Sequence, residues 1–187
     1  MRPKFTLLFN IKDHKQMPEK LITTYLEMTD PAEFKPAILE NLQGITIFPL
    51  ETPDLEFYRF LYYQVGNAWR WRDRLLLSDQ QLTDILADSG TSIDVLYVNG
   101  APAGYIELSQ CESSTEIAYF GLRSGYCGRG LGKYLLSYGI TKAWNQNTQR
   151  LWVHTCNLDN IYALDNYLKR GFKVYKVEEE PLPKQYL

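Results

Sequence analysis

The sequence predicts a mixed α/β (α+β) domain. Short apolar runs of strand length alternate with longer segments that carry an apolar stripe at helical spacing. Asn99 and Gly100 join two extended segments through a dipeptide that favours a tight hairpin turn. Gly128, Gly130 and Gly132 punctuate the passage from a strand into a helix, and no internal repeat or low-complexity tract interrupts the alternation. In chain order the main elements read strand, two helices, three strands, helix, strand, helix, strand, which is the order of a mixed domain.

Each element has its own signals. LITTYLEM (21–28) and GITIFPL (44–50) are extended, and DPAEFKPAILEN between them has two prolines that make it irregular or partly helical. TPDLEFYRFLYYQVG carries complete helix punctuation, with Thr52 as N-cap, Pro53 at the first helical position and Gly66 as C-cap. In NAWRWRDRLLLSDQQLTDILADSG, Ser78 caps a second helix with Leu82, Ile85 and Leu86 on one stripe, while the alternating WRWR suits an exposed strand or edge. SIDVLYVNG and PAGYIELSQ form the hairpin, and STEIAYFGL follows as a third strand. The helix that the glycines open sets Leu135, Leu136, Gly139, Ile140 and Ala143 on one face. RLWVHTC is a strand; NIYALDNYLKR is helical, with Ala163, Leu164, Tyr167 and Leu168 as its stripe and Gly171 as its stop; FKVYKVEEE is the last strand.

A chain of 187 residues makes one domain with a substantial core, here residues 44–187, preceded by an N-terminal extension over 1–43 that packs on the domain and can add a strand to it. The 22 acidic residues outnumber the 20 basic ones, so no global positive field recruits nucleic acid or an anionic membrane. Cys111, Cys127 and Cys156 are odd in number and lack CxxC spacing, which argues against a disulfide framework and against a metal site and suits a reducing cytoplasm. The N-terminal MRPKFTLLFNIKDHK has only FTLLF as an apolar run, too short for a signal sequence or a membrane span. The expected protein is therefore cytoplasmic, a monomer or homodimer.

The glycines invite comparison with phosphate-binding loops. A Walker loop fails twice, because Cys127 stands where its first glycine belongs and Tyr134 follows Lys133 in place of Ser or Thr. The dinucleotide fingerprint fails too, since its third glycine falls on Lys133 or on Leu135. A strand, a Gly-rich turn and a helix start still aim backbone amides at an anion, although three glycines equally allow a tight turn and close packing.

The C-terminal third resembles the GNAT superfamily of N-acetyltransferases. CGRGLG (127–132) matches the glycines of the motif (Q/R)xxGx(G/A), with Cys127 in the place of Gln or Arg. NxxAxxxYxxxGF is matched at every position by Asn160, Ala163, Tyr167, Gly171 and Phe172. By element order the resemblance covers about residues 44–180, with sharp motifs from 116 to 172. It implies a mainly antiparallel central sheet flanked by helices, in which the fourth and fifth strands, STEIAYFGL and RLWVHTC, splay apart.

It also implies acetyl-CoA as cosubstrate. The amides of Gly128, Arg129, Gly130, Leu131, Gly132 and Lys133 would take the pyrophosphate at the helix N-terminus, with positive charge from Arg129 or Lys133, beside Cys127. Backbone groups of Phe120, Gly121 and Leu122 would pair with pantetheine as an added strand, and Asn160, which can also cap its helix, would touch the cofactor arm.

Attack by an amine on a thioester first requires a neutral amine. An alkylamine with a pKa near ~10.4 is neutral in only about one molecule in two or three thousand at pH 7, so a base or a proton-accepting water chain helps. The resemblance places that base at Glu116, which counting by twos sets on one strand face with Ala118, Phe120 and Leu122; a solvent-facing carboxylate at a strand start reads the same way. Glu107 on the neighbouring strand and His154 in WVHTC are the alternatives, each also readable as structural. Tyr167 matches the tyrosine that protonates the leaving thiolate, at a spacing that a packed core tyrosine shares.

For the acceptor, the resemblance implicates the first two helices and their link. Tyr58, Tyr62, Tyr63, Trp69 and Trp71 can enclose an amine, and Arg59, Arg70, Arg72 and Arg74 can clamp a carboxylate or phosphate. Core packing of the aromatics and solvation of the arginines is the other reading. A small-molecule amine is expected over a protein lysine; an acyl-CoA sensor or interaction module with little turnover, a protein amine and a longer acyl group are the alternatives.

Overall fold

The structure is a computed structural model, and it describes residues 17–186, so the N-terminal MRPKFTLLFNIKDHK lies outside the described residues. Strands β1 (Lys20–Met28), β2 (Ile45–Pro49), β3 (Thr91–Val98), β4 (Ala101–Cys111), β5 (Ser114–Leu122), β6 (Arg150–Cys156) and β7 (Lys173–Pro181) form one sheet in the order β2-β3-β4-β5-β6-β1-β7. Every neighbouring pair is antiparallel except β5 with β6. That pair is joined through a helix, the connection that parallel strands need. The β3–β4 turn places Asn99 at φ 50° and Gly100 at φ 80°, the positive angles its dipeptide favours. β1 comes from the N-terminal region, lies between β6 and β7, and buries Leu26 and Met28.

Helices cover both faces. α1 (Leu55–Gly66) and α2 (Asp79–Ala87) pack Tyr58, Leu61, Tyr62, Val65 and Leu82 on Ile93, Val95 and Tyr105. On the other face α3 (Leu131–Trp144) lays Leu131, Leu135, Leu136, Ile140 and Ala143 over Leu96, Ile106, Leu108, Ile117, Leu151 and Val153. Each fully buried leucine or isoleucine contributes about 1.5–3 kcal/mol, so these two layers fix the sheet against which the strand edges are positioned. α4 (Ala163–Lys169) closes the second layer with Tyr167.

The local signals were met with four differences. Asp54, not Thr52, caps α1, its Oδ1 accepting from the Phe57 amide at 2.9 Å, and Pro53 precedes the cap. Gly66 is the last residue of α1 and Asn67, not Gly66, is its C-cap, the chain then turning over Asn67–Trp69; a Cβ on Gly66 would lie 2.2 Å from Trp71, so glycine there admits the indole. WRWR is a turn and no strand, because Arg70 at φ 62° reverses the chain. On α4 only Ala163 and Tyr167 turn inward, while Leu164 and Leu168 are 37% and 43% exposed.

One register shift matters for the site. β4 pairs Glu107 with Tyr119 but Leu108 with Ile117, so Ala118 is an extra residue in β5. Ile117 and Phe120, three residues apart, consequently both join the α3-side core. The bulge breaks the count by twos and puts Glu116 on the face opposite Phe120 and Leu122.

Candidate active site

β5 and β6 pair only through Ser114–Arg150, Thr115–Leu151 and Glu116–Trp152. Beyond that step they splay, and from Ile117 to Leu122 β5 keeps its β4 ladder while its other edge has no strand partner among the described residues. A cleft of about 820 Å³ opens there, bounded by β5, by His154 and Cys156 of β6, by the start of α3 and by α4. Phe120, Gly121 and Leu122 line it, so an extended chain can pair along the free edge.

At one end lies the glycine turn. Gly128 and Gly130 both sit at φ +77°, a left-handed conformation that costs other residues about 1–2 kcal/mol. Gly130 is the N-cap of α3 and no side chain caps the helix, so its first amides face the cleft without an internal acceptor. Cys127, Gly128, Gly130, Gly132 and Lys133 line this end. Arg129 and Leu131 do not: the Arg129 guanidinium lies over the Tyr126 ring at 5.9 Å, and Leu131 is buried in the core. Uncapped amides beside Lys133 fit the diphosphate of coenzyme A.

Tyr167 lines the cleft, in edge contact with Phe120 at 6.3 Å and Phe172 at 6.0 Å between ring centroids. Burial, and after it the charge of Asp159, raise its phenol pKa far above the ordinary value, so it stays a neutral donor. Asn160 lines the cleft too, and its Oδ1 accepts from the Tyr162 amide at 3.0 Å, ordering the turn into α4.

The candidate bases separate sharply. Glu107 is fully buried, accepting from Tyr58 Oη and from Arg74 Nη2, each at 2.6 Å, and it does not reach the cleft. Burial disfavours the Arg74 charge, but the Glu107 carboxylate more than offsets it and the guanidinium pKa is raised. Glu107 is thus half of an internal ion pair. Glu116 does not line the cleft either; its Oε1 lies 3.3 Å from Nδ1 of His154, which does. The hydrogen bond to Glu116 raises the His154 pKa, against the opposing effect of burial.

At the acceptor end the arginines are engaged elsewhere. Arg59 pairs with Asp79 at 2.7 Å, Arg70 donates to the Tyr186 carbonyl at 3.0 Å, Arg72 to the Trp71 carbonyl at 3.0 Å, and Arg74 holds Glu107; none of the four lines the cleft. Tyr58 and Tyr62 are core residues, whereas Tyr63, Trp69, Trp71 and Tyr119 line the wall. Two carboxylates that sequence reasoning missed are there as well. Asp159 accepts from Trp71 Nε1 at 3.2 Å, Thr155 Oγ1 at 2.8 Å and the Cys156 amide at 3.0 Å. Asp73 accepts from Gln185 Nε2 at 3.0 Å. The position of Asp159 beside the matched Asn160 was its one sequence signal.

A sheet whose parallel pair splays beside an uncapped, glycine-started helix defines the class of fold used by N-acetyltransferases. The chain belongs to the acetyltransferase (GNAT) family, whose model matches residues 51–172. No curated protein matches it. Among solved structures, a functionally unknown conserved protein from Staphylococcus epidermidis ATCC 12228 is 16% identical with a TM-score of 0.65, over 86% of this chain and 60% of that one. A tandem GNAT protein from the clavulanic acid biosynthesis pathway is 16% identical with a TM-score of 0.63, over 88% of this chain and 54% of that one. An aminoglycoside acetyltransferase from an uncultured soil metagenomic sample, in complex with trehalose, is 17% identical with a TM-score of 0.57, over 68% of this chain and 88% of that one. These likenesses are of fold, and the chain spans little more than half the length of the first two.

Proposed function

We propose that the protein moves the acetyl group of acetyl-CoA to a primary amine of a small cationic molecule, by direct attack in a ternary complex. One observation carries this reading: a single cleft joins the uncapped α3 start and the free β5 edge to His154, Asp73 and Asp159. Acetyl-CoA supplies the acetyl group as an activated thioester. The chain supplies the rest. Gly128 to Lys133 hold the anionic end, and amides of β5 near Phe120 to Leu122 stabilise the oxyanion that forms when the amine nitrogen bonds to the carbonyl carbon.

His154 takes the proton of the attacking ammonium, with Glu116 fixing the ring. Tyr167 gives its proton to the sulfur as the carbon–sulfur bond breaks. Direct attack suits Cys156 beside His154 in β6, because burial pushes this thiol up to about 11 and keeps it protonated rather than nucleophilic. Carboxylates and aromatic faces without a free arginine favour a cation over an anion at the acceptor end.

Thiol release from acetyl-CoA, measured across monoamines, diamines, amino acids and a lysine peptide, tests the reading. Turnover highest with small diamines is expected. CoA binding without turnover on any acceptor points instead to a sensor, and preference for an anionic acceptor overturns the assignment of the wall.

A further inference from the structure

We propose that Arg170 reaches from the end of α4 to hold the diphosphate of coenzyme A. The inference rests on the reading that the cleft takes acetyl-CoA, and it adds a binding residue to which no motif pointed. Arg170, the C-cap of α4, lines the cleft together with Ala163, Asn166 and Tyr167, and so do Asp165 and Lys169, which pair with each other at 2.6 Å. Its Nε and Nη1 are buried and have no hydrogen-bond partner among the described residues, and no carboxylate pairs with it there.

A guanidinium does not lose its proton in a protein, so burial lowers the Arg170 pKa without discharging the group. Buried N–H groups with nothing to donate to are costly, and a planar fork of such donors matches the paired oxygens of a phosphate. The native chain thus leaves open a site for an anion at this point.

The backbone ties Arg170 to the glycine turn. Its carbonyl accepts from the Lys35 amide at 3.0 Å, the Ala37 amide donates to Ser137 Oγ of α3 at 2.8 Å, and Leu39 lies 3.1 Å from where a Cβ on Gly130 would stand. Residues 35–39 therefore span from Arg170 to the uncapped start of α3. Lys133 is a second cation without a carboxylate partner among the described residues, with its Cε 3.3 Å from the same Cβ position, whereas Lys169 is paired with Asp165. Cys127 brings no charge, its thiol donating to the Arg123 carbonyl at 3.8 Å. Arg170 and Lys133 then flank the diphosphate from two helices while the amides of α3 face it.

Calorimetric titration of wild type, Arg170→Met and Arg170→Lys with CoA and with 3′-dephospho-CoA decides the matter. We expect Arg170→Met to weaken both ligands by the same factor, about tenfold or more, and Arg170→Lys to recover part of the loss. Without ligand, Arg170→Met should melt at or above the wild-type temperature, since it removes an unpaired buried charge. Unchanged affinity, a loss confined to CoA, or a lower unliganded melting temperature each overturns the proposal. A wild type that binds neither ligand overturns the acetyl-CoA reading itself, and this inference with it.

Discussion

Oε1 of Glu116 lies 3.3 Å from Nδ1 of His154, across the last paired step before β5 and β6 separate. The carboxylate is on a shoulder of the cleft and the imidazole is in it. The pairing raises the His154 pKa above its ordinary 6.5. In the proposed mechanism the neutral imidazole is the base, so kcat/KM should rise with pH through that raised pKa. Glu116→Gln should move the acid limb of the profile to lower pH, and His154→Gln should remove the limb and cost about 100-fold or more in rate. An acid limb that stays in place in Glu116→Gln contradicts the pairing.

The same pair makes a linked statement about stability. Because the folded pKa of His154 lies above the unfolded one, the stabilisation is fully present below about pH 6.5 and is lost as pH rises through the folded value. Glu116→Gln should therefore lower the melting temperature near pH 6 more than near pH 9. Equal losses at both pH values would deny the link.

A phenol is already neutral at neutral pH, and burial of Tyr167 extends that protonated state to higher pH, as its proposed role of proton donor to the leaving thiolate requires. Tyr167→Phe should lower kcat by about 100-fold while leaving the affinity for CoA within a few-fold of wild type. An unchanged kcat across pH would remove the acid role and leave Tyr167 as packing between Phe120 and Phe172.

Glu107 is expected to act on stability alone. Glu107→Gln leaves Arg74 charged and unpaired in the interior, at a cost of about 3–5 kcal/mol by denaturant unfolding. Adding Arg74→Met should restore much of that loss. A Glu107→Gln protein with native stability and a lost acid limb would instead return Glu107 to catalysis.

Gly128 and Gly130 share φ +77°, but only Gly130 has a neighbour where a Cβ would stand. Gly128→Ala should cost about 1–2 kcal/mol of stability from backbone strain. Gly130→Asp adds contact with Leu39 and negative charge at the anion site, and it should abolish CoA binding. Retained affinity in Gly130→Asp would rule out the helix start as the diphosphate site.

The parts of this molecule legible in sequence were those set by local chemistry. The Ser78 cap, the Asn99–Gly100 turn and the apolar stripe of α3 each follow from a few neighbouring residues. Motif spacing likewise brought Gly128, Gly130, Gly132, Asn160 and Tyr167 to one cleft. What stayed illegible depends on partners distant in sequence. The extra residue at Ala118, which turned Glu116 away from Phe120 and toward His154, shows only in the pairing with β4. Arg59 of α1 and Arg70, Arg72 and Arg74 of the α1–α2 link could read from sequence as an anion clamp or as solvated, but Asp79, Glu107 and two backbone carbonyls hold them. Asp73 had no signal at all, since its place depends on Gln185 near the far end of the chain.

The central claim is that this cleft acetylates a cationic amine. Wild type and Asp73→Asn, incubated with acetyl-CoA and a short diamine, should be followed by mass spectrometry of the amine together with release of free CoA. We expect one acetyl group gained on the diamine per CoA released, with KM for the diamine raised about tenfold in Asp73→Asn and kcat nearly unchanged. CoA release without acetylated amine, or acetylation of a neutral amine at equal efficiency in both proteins, would contradict it.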